Sequence, residues 1–436
     1  MRVRDILEID FFLLLTALIL SVFGILFIYS SGVASTGALV STEYQRQIIW
    51  ALAGLLIAIF LSLVDYQRIH DLSLYLYLGT LLLLLYTCLF GRLVHGARAW
   101  IGIGAFGIQP SEFAKVTTIL FLSRYLGDTK RGTNYFSRFI LSCLIVFIPM
   151  GLILIQPDFG TSLVFIPILL VMTFVAGISL RYIIFLCAVI GLTGFLMILP
   201  LWQSYILRKP VGSLAVLANL RFILIVILVL GVAGLIALGG YIKYKKRYFY
   251  WILYGAAIGV ISFGASFLSH RVLKDYQIMR LIVFMDPNVD PRGAGWNIIQ
   301  SITAIGSGGL VGKGYLQGTQ SHYRFLPQQS TDFIFSIFSE EWGLLGGLLV
   351  FLLFLIIVLR LIRIMKTTTD PFGIYITAGL SGMYIFHFLV NVGMTMGIMP
   401  ITGIPLHFMS YGGSSIISAM TGIGLALSIH VRRYRR

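Results

Sequence analysis

The chain has 436 residues, of which 58% are hydrophobic and only 11% are charged. A soluble domain of this size needs roughly twice that share of charge to cover its surface. The mean hydropathy of +0.95 is typical of a membrane protein. The net charge of +16 does not indicate nucleic-acid binding, because the basic residues are scattered between apolar runs and form no compact basic domain.

Twelve apolar runs are candidate cores of spanning helices, which need about 20 mostly apolar residues each. We expect the first run to be an uncleaved span, since it is too long for a signal peptide and more spans follow. The fourth run is unusual, because Glu112 and Lys115 lie in its first turn. The runs are residues 11–30, 47–64, 73–91, 112–126, 139–155, 159–180, 182–202, 222–242, 248–269, 333–359, 372–396 and 411–430. The sequence therefore predicts an all-α polytopic membrane protein with about twelve transmembrane helices.

The distribution of basic residues predicts on which side of the membrane each connecting segment lies. When connecting segments are assigned to alternate sides, most basic clusters fall on the same side as both chain ends. By the positive-inside rule, we expect both termini to be cytoplasmic in the cell membrane. That side carries Arg68, Arg124, Arg138, Arg181, Lys243, Lys245, Lys246, Arg247, Arg360, Arg363, Lys366, Arg432 and Arg433.

Three polar segments then lie on the external side. They are residues 92–111, which include Arg98 and Trp100, residues 156–161, which include Asp158, and residues 270–330. The last is the longest polar stretch, and loops of that length are usually functional. It carries Arg271, Lys274, Arg280, Arg292, Lys313 and Arg324 on the external side. These cations are either simply solvated or placed to meet an anionic substrate at the outer leaflet.

The long loop contains a turn-rich run from Asp286 to Gly295. Its two carboxylates, Asp286 and Asp290, are either turn caps or include a rigidly held general base. The following stretch, Trp296 to Ile305, has helical spacing with Gln300 and Ser301 as polar insertions, which predicts a short interfacial helix.

A glycine-rich run, Gly306 to Gly314, follows that predicted helix. The run fits neither of the glycine-rich nucleotide-binding patterns, GxxxxGK[ST] and GxGxxG, in register, so we reject a nucleotide site. Backbone amides beside Lys313 could still approach a phosphate.

Carboxylates also occur in or beside the spans. Asp332 precedes a long span and could cap its N-terminus, as could Thr331, whereas Glu340 and Glu341 lie within that span, where carboxylates are costly and usually functional. Glu112 and Lys115 share a helix face at i,i+3 spacing. That pair is either self-neutralising structure or the lining of a polar cavity.

Cysteine and histidine patterns indicate no dedicated structural metal. Cys88, Cys143 and Cys187 lie inside apolar runs without disulfide or CxxC spacing, and the seven histidines include no HExxH pair.

Several ordered runs resemble one known family. They are Gln109–Lys115, Gln156–Ser162, Asp290–Ser301, Thr331–Phe335 and Ser410–Ser415. These runs are similar, in the same order, to those of the SEDS proteins of shape, elongation, division and sporulation. The run Ile305–Gly314, followed by Gly318–Ser321, resembles the RodA branch rather than the division branch, FtsW.

The resemblance implies a peptidoglycan glycosyltransferase that polymerises lipid II during cell elongation and rod-shape maintenance. The family's essential loop aspartate falls on Asp290, which we expect to be the general base of an inverting transfer. The candidates for substrate contacts are Trp100, Arg98, Glu112, Lys115, Asp158, Arg271, Arg280, Gln300, Ser301, Lys313, Gln320, Asp332 and Glu340. A divalent cation, Mg²⁺ or Mn²⁺, could accompany the pyrophosphate.

Two features depart from the family pattern. The family has Arg directly before the tryptophan, whereas Ala99 precedes Trp100 and the arginine is Arg98. The family has ten spans rather than twelve. We therefore expect one membrane domain over residues 1–436, with an inserted hairpin at about 203–268 that leaves the catalytic loop, residues 270–330, outside.

The resemblance also implies partners: a class B penicillin-binding transpeptidase and other proteins of the elongation complex. The chain itself has no visible Ser-x-x-Lys transpeptidase domain. Two other functions remain open at this point. One is a lipid II flippase that uses Glu112, Lys115 and Glu340, and the other is a non-catalytic scaffold for a transpeptidase.

Overall fold

The apolar runs fold into helices, as their length and hydropathy require. The computed structural model describes residues 10–94, 97–102, 107–129, 134–207, 220–272 and 275–433. The helices are α1 (Phe11–Gly32), α2 (Glu43–Leu63), α3 (Tyr66–Phe90), α4 (Pro110–Asp128), α5 (Tyr135–Ile155), α6 (Phe159–Leu163), α7 (Phe165–Val175), α8 (Leu180–Trp202), α9 (Leu220–Tyr244), α10 (Arg247–Val272), α11 (Asp275–Met285), α12 (Ala294–Ser307), α13 (Thr319–His322), α14 (Ile334–Thr367), α15 (Pro371–Thr395) and α16 (Gly413–Val431). Strands β1 (Arg92–Val94) and β2 (Ala97–Trp100) form an antiparallel hairpin between α3 and α4.

Every one of the twelve predicted spans corresponds to helix. Ten helices in the described part of the chain are long and apolar enough to cross a membrane: α1, α2, α3, α5, α8, α9, α10, α14, α15 and α16. The predicted all-α polytopic membrane class is therefore confirmed. The other two predicted spans fall on α4, which carries four charged residues, and on α6 and α7, which Val164 separates. That these two segments also cross the membrane stays a prediction.

The chain divides into two compact units, which are described separately. The first unit is Met1–Ile178 together with Asn297–Arg436, and the second is Ser179–Trp296. In the second unit α9 packs against α10, and α10 packs against α8. The predicted inserted hairpin, residues 203–268, corresponds to α9 and α10, preceded by a π-helical turn at Gln203–Leu207.

Small residues let the helices of the first unit approach closely. A Cβ added to Gly424 on α16 would lie 2.8 Å from the Cα of Ala58 on α2, and Gly24 on α1 packs directly on the backbone of Met409. Lipid tails are as apolar as leucine, so membrane helices associate through such close packing rather than through the hydrophobic effect. Helices α15 and α16 are accordingly the most enclosed of the ten.

Helix α14 is broken at Gly343, where φ is +64° and ψ is −161°. The segment Gly308–Gly314 docks on the break. Leu344 N–H donates to the carbonyl of Gly309 at 2.9 Å, and Lys313 N–H donates to the carbonyl of Glu340 at 3.1 Å. The loop thus satisfies backbone groups that the broken helix cannot, as burial in a membrane protein requires.

The prediction that Asp332 could cap α14 is wrong. The helix begins at Ile334, Phe333 occupies the cap position, and no side chain caps it. Instead, the backbone carbonyl of Asp332 accepts a hydrogen bond from Asn391 Nδ2 at 2.9 Å. The segment before α14 is held by α15 rather than by its own helix.

We expect Gly343→Ala to lower the free energy of unfolding by about 3 kcal/mol, because its dihedrals suit only glycine and its Cβ would lie 2.4 Å from Gly312 N. The midpoint of thermal unfolding in detergent micelles measures this. Gly79→Ala in α3 is the matched control, since its Cβ would meet open space. An equal midpoint for the two variants would contradict the role of the break.

Candidate functional site

The turn that carries Asp290 is held by hydrogen bonds within the second unit. Asp290 Oδ1 accepts from the N–H of Gly293 at 3.0 Å, and its backbone carbonyl accepts from the N–H of Gly295 at 2.9 Å. A Cβ at Gly293 would collide with the Asp290 carboxylate, and one at Gly295 with the Pro287 carbonyl. Gly295 is therefore needed to bring the backbone this close, whereas at Gly293 it is the backbone N–H that binds the carboxylate.

Asp286 caps the preceding 3₁₀ turn, Pro287–Val289, by accepting from the N–H of Asn288 at 2.9 Å. Both carboxylates of the run thus act as turn caps, one of the two roles that the sequence left open. The capping bond of Asp290 occupies one oxygen position of a group that has about four acceptor positions. Capping and proton acceptance are therefore compatible.

A buried charged cluster lies in the first unit. Lys115 Nζ is 2.8 Å from Glu112 Oε1, and the two side chains are 0% and 2% exposed. Ser418 Oγ on α16 donates to Glu112 Oε2 at 3.3 Å, and Lys115 Nζ lies 3.0 Å from His387 Nε2 on α15. The i,i+3 ion pair that the sequence predicted is present, and two further helices complete it.

Two histidines extend this cluster, and sequence reasoning missed both. His387 Nδ1 lies 3.0 Å from the Pro405 carbonyl, so Nδ1 carries the proton and Nε2 accepts from the Lys115 ammonium. The ring of His407 lies 3.6 Å from that of His387, centroid to centroid. Among the described residues, neither nitrogen of the fully buried His407 has a hydrogen-bond partner. Burial, and then the charge of Lys115, hold the pKa of His407 well below its ordinary value, so this ring is neutral. In the sequence, His387 and His407 stand out only because they lie in a long stretch that has no charged residues.

Asp158 joins the start of α6 to the start of α4. Its Oδ2 accepts from Gln109 Nε2 and from Thr161 Oγ1, both at 2.8 Å, and its Oδ1 accepts from the Thr161 N–H at 3.2 Å. Burial raises the pKa of this carboxyl, and the hydrogen bonds from Thr161 oppose that shift. The predicted residues Asp158, Glu112 and Lys115 are therefore brought to neighbouring positions of one unit.

Trp100 and Arg98 lie on β2, beside the segment that precedes α6. The N–H of Arg98 donates to the carbonyl of Gln156 at 3.3 Å, which ties the hairpin to the segment before α6. The Arg98 side chain is exposed, whereas Trp100 is half-buried and its ring lies against Gly107. The hairpin thus presents a cation and an aromatic ring at the same end of the unit as Asp158.

Glu340 and Glu341 bind the loop that docks on α14. Glu340 Oε1 is 2.8 Å from Lys313 Nζ and accepts from the N–H of Thr319 at 2.8 Å and of Gln320 at 3.1 Å. Glu341 accepts from Ser30 Oγ and from the N–H of Leu316. These contacts give Glu340, Lys313 and the Gln320 backbone a clear structural role, and the charge of Lys313 is already paired.

The other predicted residues lie apart from the charged cluster. Ser301 is fully buried, and its hydroxyl is 2.6 Å from both Ser336 Oγ and the Thr395 carbonyl, so it fastens α12 to α14 and α15. Gln300 is half-buried on α12, within the helix that the sequence predicted at Trp296–Ile305. In the second unit Arg280 is half-buried on α11, while the side chain of Arg271, on α10, lies outside the described residues.

A second set of missed residues anchors the connection between α15 and α16. Gln47 Nε2 donates to the Ser410 carbonyl at 3.0 Å, and Ser410 Oγ donates to the Thr331 carbonyl at 2.6 Å. Asn391 Nδ2 donates to the Ile404 carbonyl at 2.8 Å. These bonds hold irregular backbone beside His407 and complete the enclosure of the cluster.

The part of the chain that the structure describes contains no group of three or more His, Cys, Asp or Glu side chains that could hold a metal ion.

Comparisons with known proteins place this geometry in a family. The FtsW/RodA/SpoVE model of cell cycle proteins matches residues 10–219 and 214–435. The chain is 51% identical to peptidoglycan glycosyltransferase RodA of Treponema pallidum, over 99% of this chain and 100% of that protein. It is 32% identical to peptidoglycan glycosyltransferase MrdB of Escherichia coli, over 98% and 95%.

Solved structures give the same fold. A chain of a peptidoglycan synthase complex, described as coordinating polymerization and crosslinking, matches with a TM-score of 0.66 and 25% identity over 98% of this chain and 99% of that one. The rod shape determining protein RodA of Thermus thermophilus matches with a TM-score of 0.61 and 24% identity, over 98% of each chain. This chain therefore belongs to the FtsW/RodA/SpoVE family of cell cycle proteins.

Proposed function

We propose that this chain is a peptidoglycan glycosyltransferase that polymerises lipid II during cell elongation, with Asp290 as the general base. The observation that carries the proposal is the Asp290 turn, in which the Gly293 N–H binds one carboxylate oxygen and Gly295 lets the backbone close on the Pro287 carbonyl. Full-length similarity to proteins named peptidoglycan glycosyltransferase supports the same activity.

In the proposed reaction, the 4-hydroxyl of an acceptor sugar attacks the anomeric carbon of a donor glycan. The bond from that carbon to the pyrophosphate oxygen breaks, and the lipid pyrophosphate leaves with the electron pair. An α-linked pyrophosphate becomes a β-linked glycan, so the centre is inverted and one base suffices. Asp290 takes the hydroxyl proton, a contribution on the order of 10²–10⁴ in rate. Pyrophosphate is a good leaving group and needs little protonation.

Cations of the outer segments would steady the pyrophosphate. Lys313 is paired with Glu340. Arg271 and Arg280 are candidates because they belong to the same unit as Asp290. Arg98, exposed on β2, stays a predicted substrate contact. A Mg²⁺ or Mn²⁺ ion, if required, would arrive bound to the pyrophosphate.

We place the protein in the cytoplasmic membrane, with both termini inside and the Asp290 loop outside, because the basic segments then follow the positive-inside rule. A class B penicillin-binding transpeptidase would cross-link the strands, together with other proteins of the elongation complex. The structural neighbour in a complex of polymerization and crosslinking supports such a partner.

Asp290→Asn is expected to lower lipid II polymerisation by at least a hundredfold, because the amide cannot accept the proton but keeps the turn. Purified protein in detergent with lipid II measures the glycan product. Asp286→Asn is the matched control, since Asp286 caps the adjacent turn and is expected to retain activity within about threefold.

The detergent assay also separates the proposal from a flippase, which would make no polymer. A scaffold is tested by growth of cells instead, since a scaffold would support growth with Asp290→Asn. Parental polymer yield from Asp290→Asn would remove Asp290 from the mechanism.

The buried pair Glu112–Lys115 is proposed to serve the lipid substrate rather than stability alone. Glu112→Gln is expected to cost about 3–5 kcal/mol in unfolding free energy, because it leaves the Lys115 ammonium buried without its carboxylate. The double variant Glu112→Gln/Lys115→Met should regain most of that stability but lose at least tenfold in polymerisation. A stable double variant with full activity would show the pair to be structural only.

A further inference from the structure

The hairpin of α9 and α10 ends in an exposed basic turn, which we call the hairpin tip: Tyr241–Tyr254. Lys243, Lys245, Lys246 and Arg247 are all exposed there. None of the four forms an ion pair with any described residue. The sequence contains no Asp or Glu between Asp158 and Asp275, so the hairpin carries no carboxylate of its own. Four positive charges are thus concentrated at one end of two apolar helices.

Aromatic rings surround these charges. Tyr244 stacks on Phe249 with centroids 6.1 Å apart, and Tyr241 lies 6.2 Å from Tyr250. Lys243 Nζ lies 5.4 Å from the Tyr244 ring centroid. The rings are also accessible: Tyr244 is 57% exposed and Trp251 is 54% exposed. Tyrosine and tryptophan with one apolar and one polar end are the residues that settle at the headgroup level of a membrane.

The turn is closed by a backbone hydrogen bond and by close ring packing. Lys245 has φ of +51°, and its N–H donates to the Tyr241 carbonyl at 2.9 Å. Gly240 lets the Phe249 ring lie directly on the α9 backbone, where any Cβ would collide with it. The positive charges of this ring-lined turn are complementary to an anionic lipid headgroup. The two apolar helices beside it are complementary to the acyl chains of the same lipid.

From this juxtaposition of four exposed cations and a packed aromatic rim we infer that the hairpin tip binds an anionic phospholipid. The phosphate lies against the lysines of the turn, and the acyl chains lie along the apolar faces of α9 and α10. This site is separate from the Asp290 turn in function, and it gives the inserted hairpin a role that the transfer chemistry does not require. It anchors the second unit to the leaflet richest in anionic lipid.

Native mass spectrometry of the full-length protein in detergent micelles tests the inference. Phosphatidylglycerol and phosphatidylcholine are titrated in parallel, and the ratio of their dissociation constants is measured. We expect phosphatidylglycerol to bind at least tenfold more tightly. In the variant Lys243→Gln/Lys246→Gln, the dissociation constant for phosphatidylglycerol should rise by roughly thirtyfold, which corresponds to the loss of two near-surface cations.

The control is Arg363→Gln/Lys366→Gln, which removes the same charge from exposed positions on α14. It is expected to keep the parental preference within about twofold. The parental preference should also fall as ionic strength rises, because an exposed charge contact is screened. Equal binding of the two lipids by the parent, no loss in the tip variant, or an equal loss in the control would each overturn the inference. Polymerisation by the tip variant in detergent should stay within about twofold, whichever lipid result is found.

Discussion

The absence of water inside a bilayer is the constraint on which the rest of this structure depends. Every backbone group and charge at membrane depth must find a partner within the protein. The break at Gly343 in α14 is possible because the segment Gly308–Gly314 supplies the missing hydrogen bonds. Likewise, the irregular connection between α15 and α16 is held by Gln47, Asn391 and Ser410. Loops that look unstructured in the sequence are therefore fixed parts of the membrane unit.

The same constraint explains the buried charges. Removing an ion pair from water costs several kcal/mol for each ion, and the attraction recovers this only when further hydrogen bonds complete the site. Glu112 and Lys115 meet that condition through Ser418 and His387. An apolar replacement would often be at least as stable. A fold that keeps such a pair at the start of α4, next to Asp158, keeps it at an energetic cost that stability does not explain.

Much of the fold followed from the sequence because hydropathy and length act locally. All twelve predicted spans are helical, and the short helix at Trp296–Ile305 is present within α12. The contacts that the sequence did not predict join residues that are distant in the chain. His387 lies 272 residues from Lys115, so no local pattern linked them. Asp332 seemed a helix cap because of its position alone, but α15 holds its carbonyl instead. Lys313 seemed available to an anion because its pairing with Glu340 could not be read from a glycine-rich loop.

The choice between cap and base at Asp290 is the point at which local chemistry reaches its limit. Asp-Pro and Gly-x-Gly predict a rigid turn, and the turn is present, with the carboxylate accepting from Gly293. Rigidity is what a cap provides, and it is also what a general base needs, since the proton acceptor must lie within hydrogen-bond reach of its donor. The control residue Asp286, four residues before, caps the adjacent turn Pro287–Val289. The two carboxylates therefore share one local role, and only a reaction at the external face would make them unequal. A difference between them in the transfer reaction would then point to chemistry rather than to capping, because each carboxylate accepts a backbone N–H of its own turn.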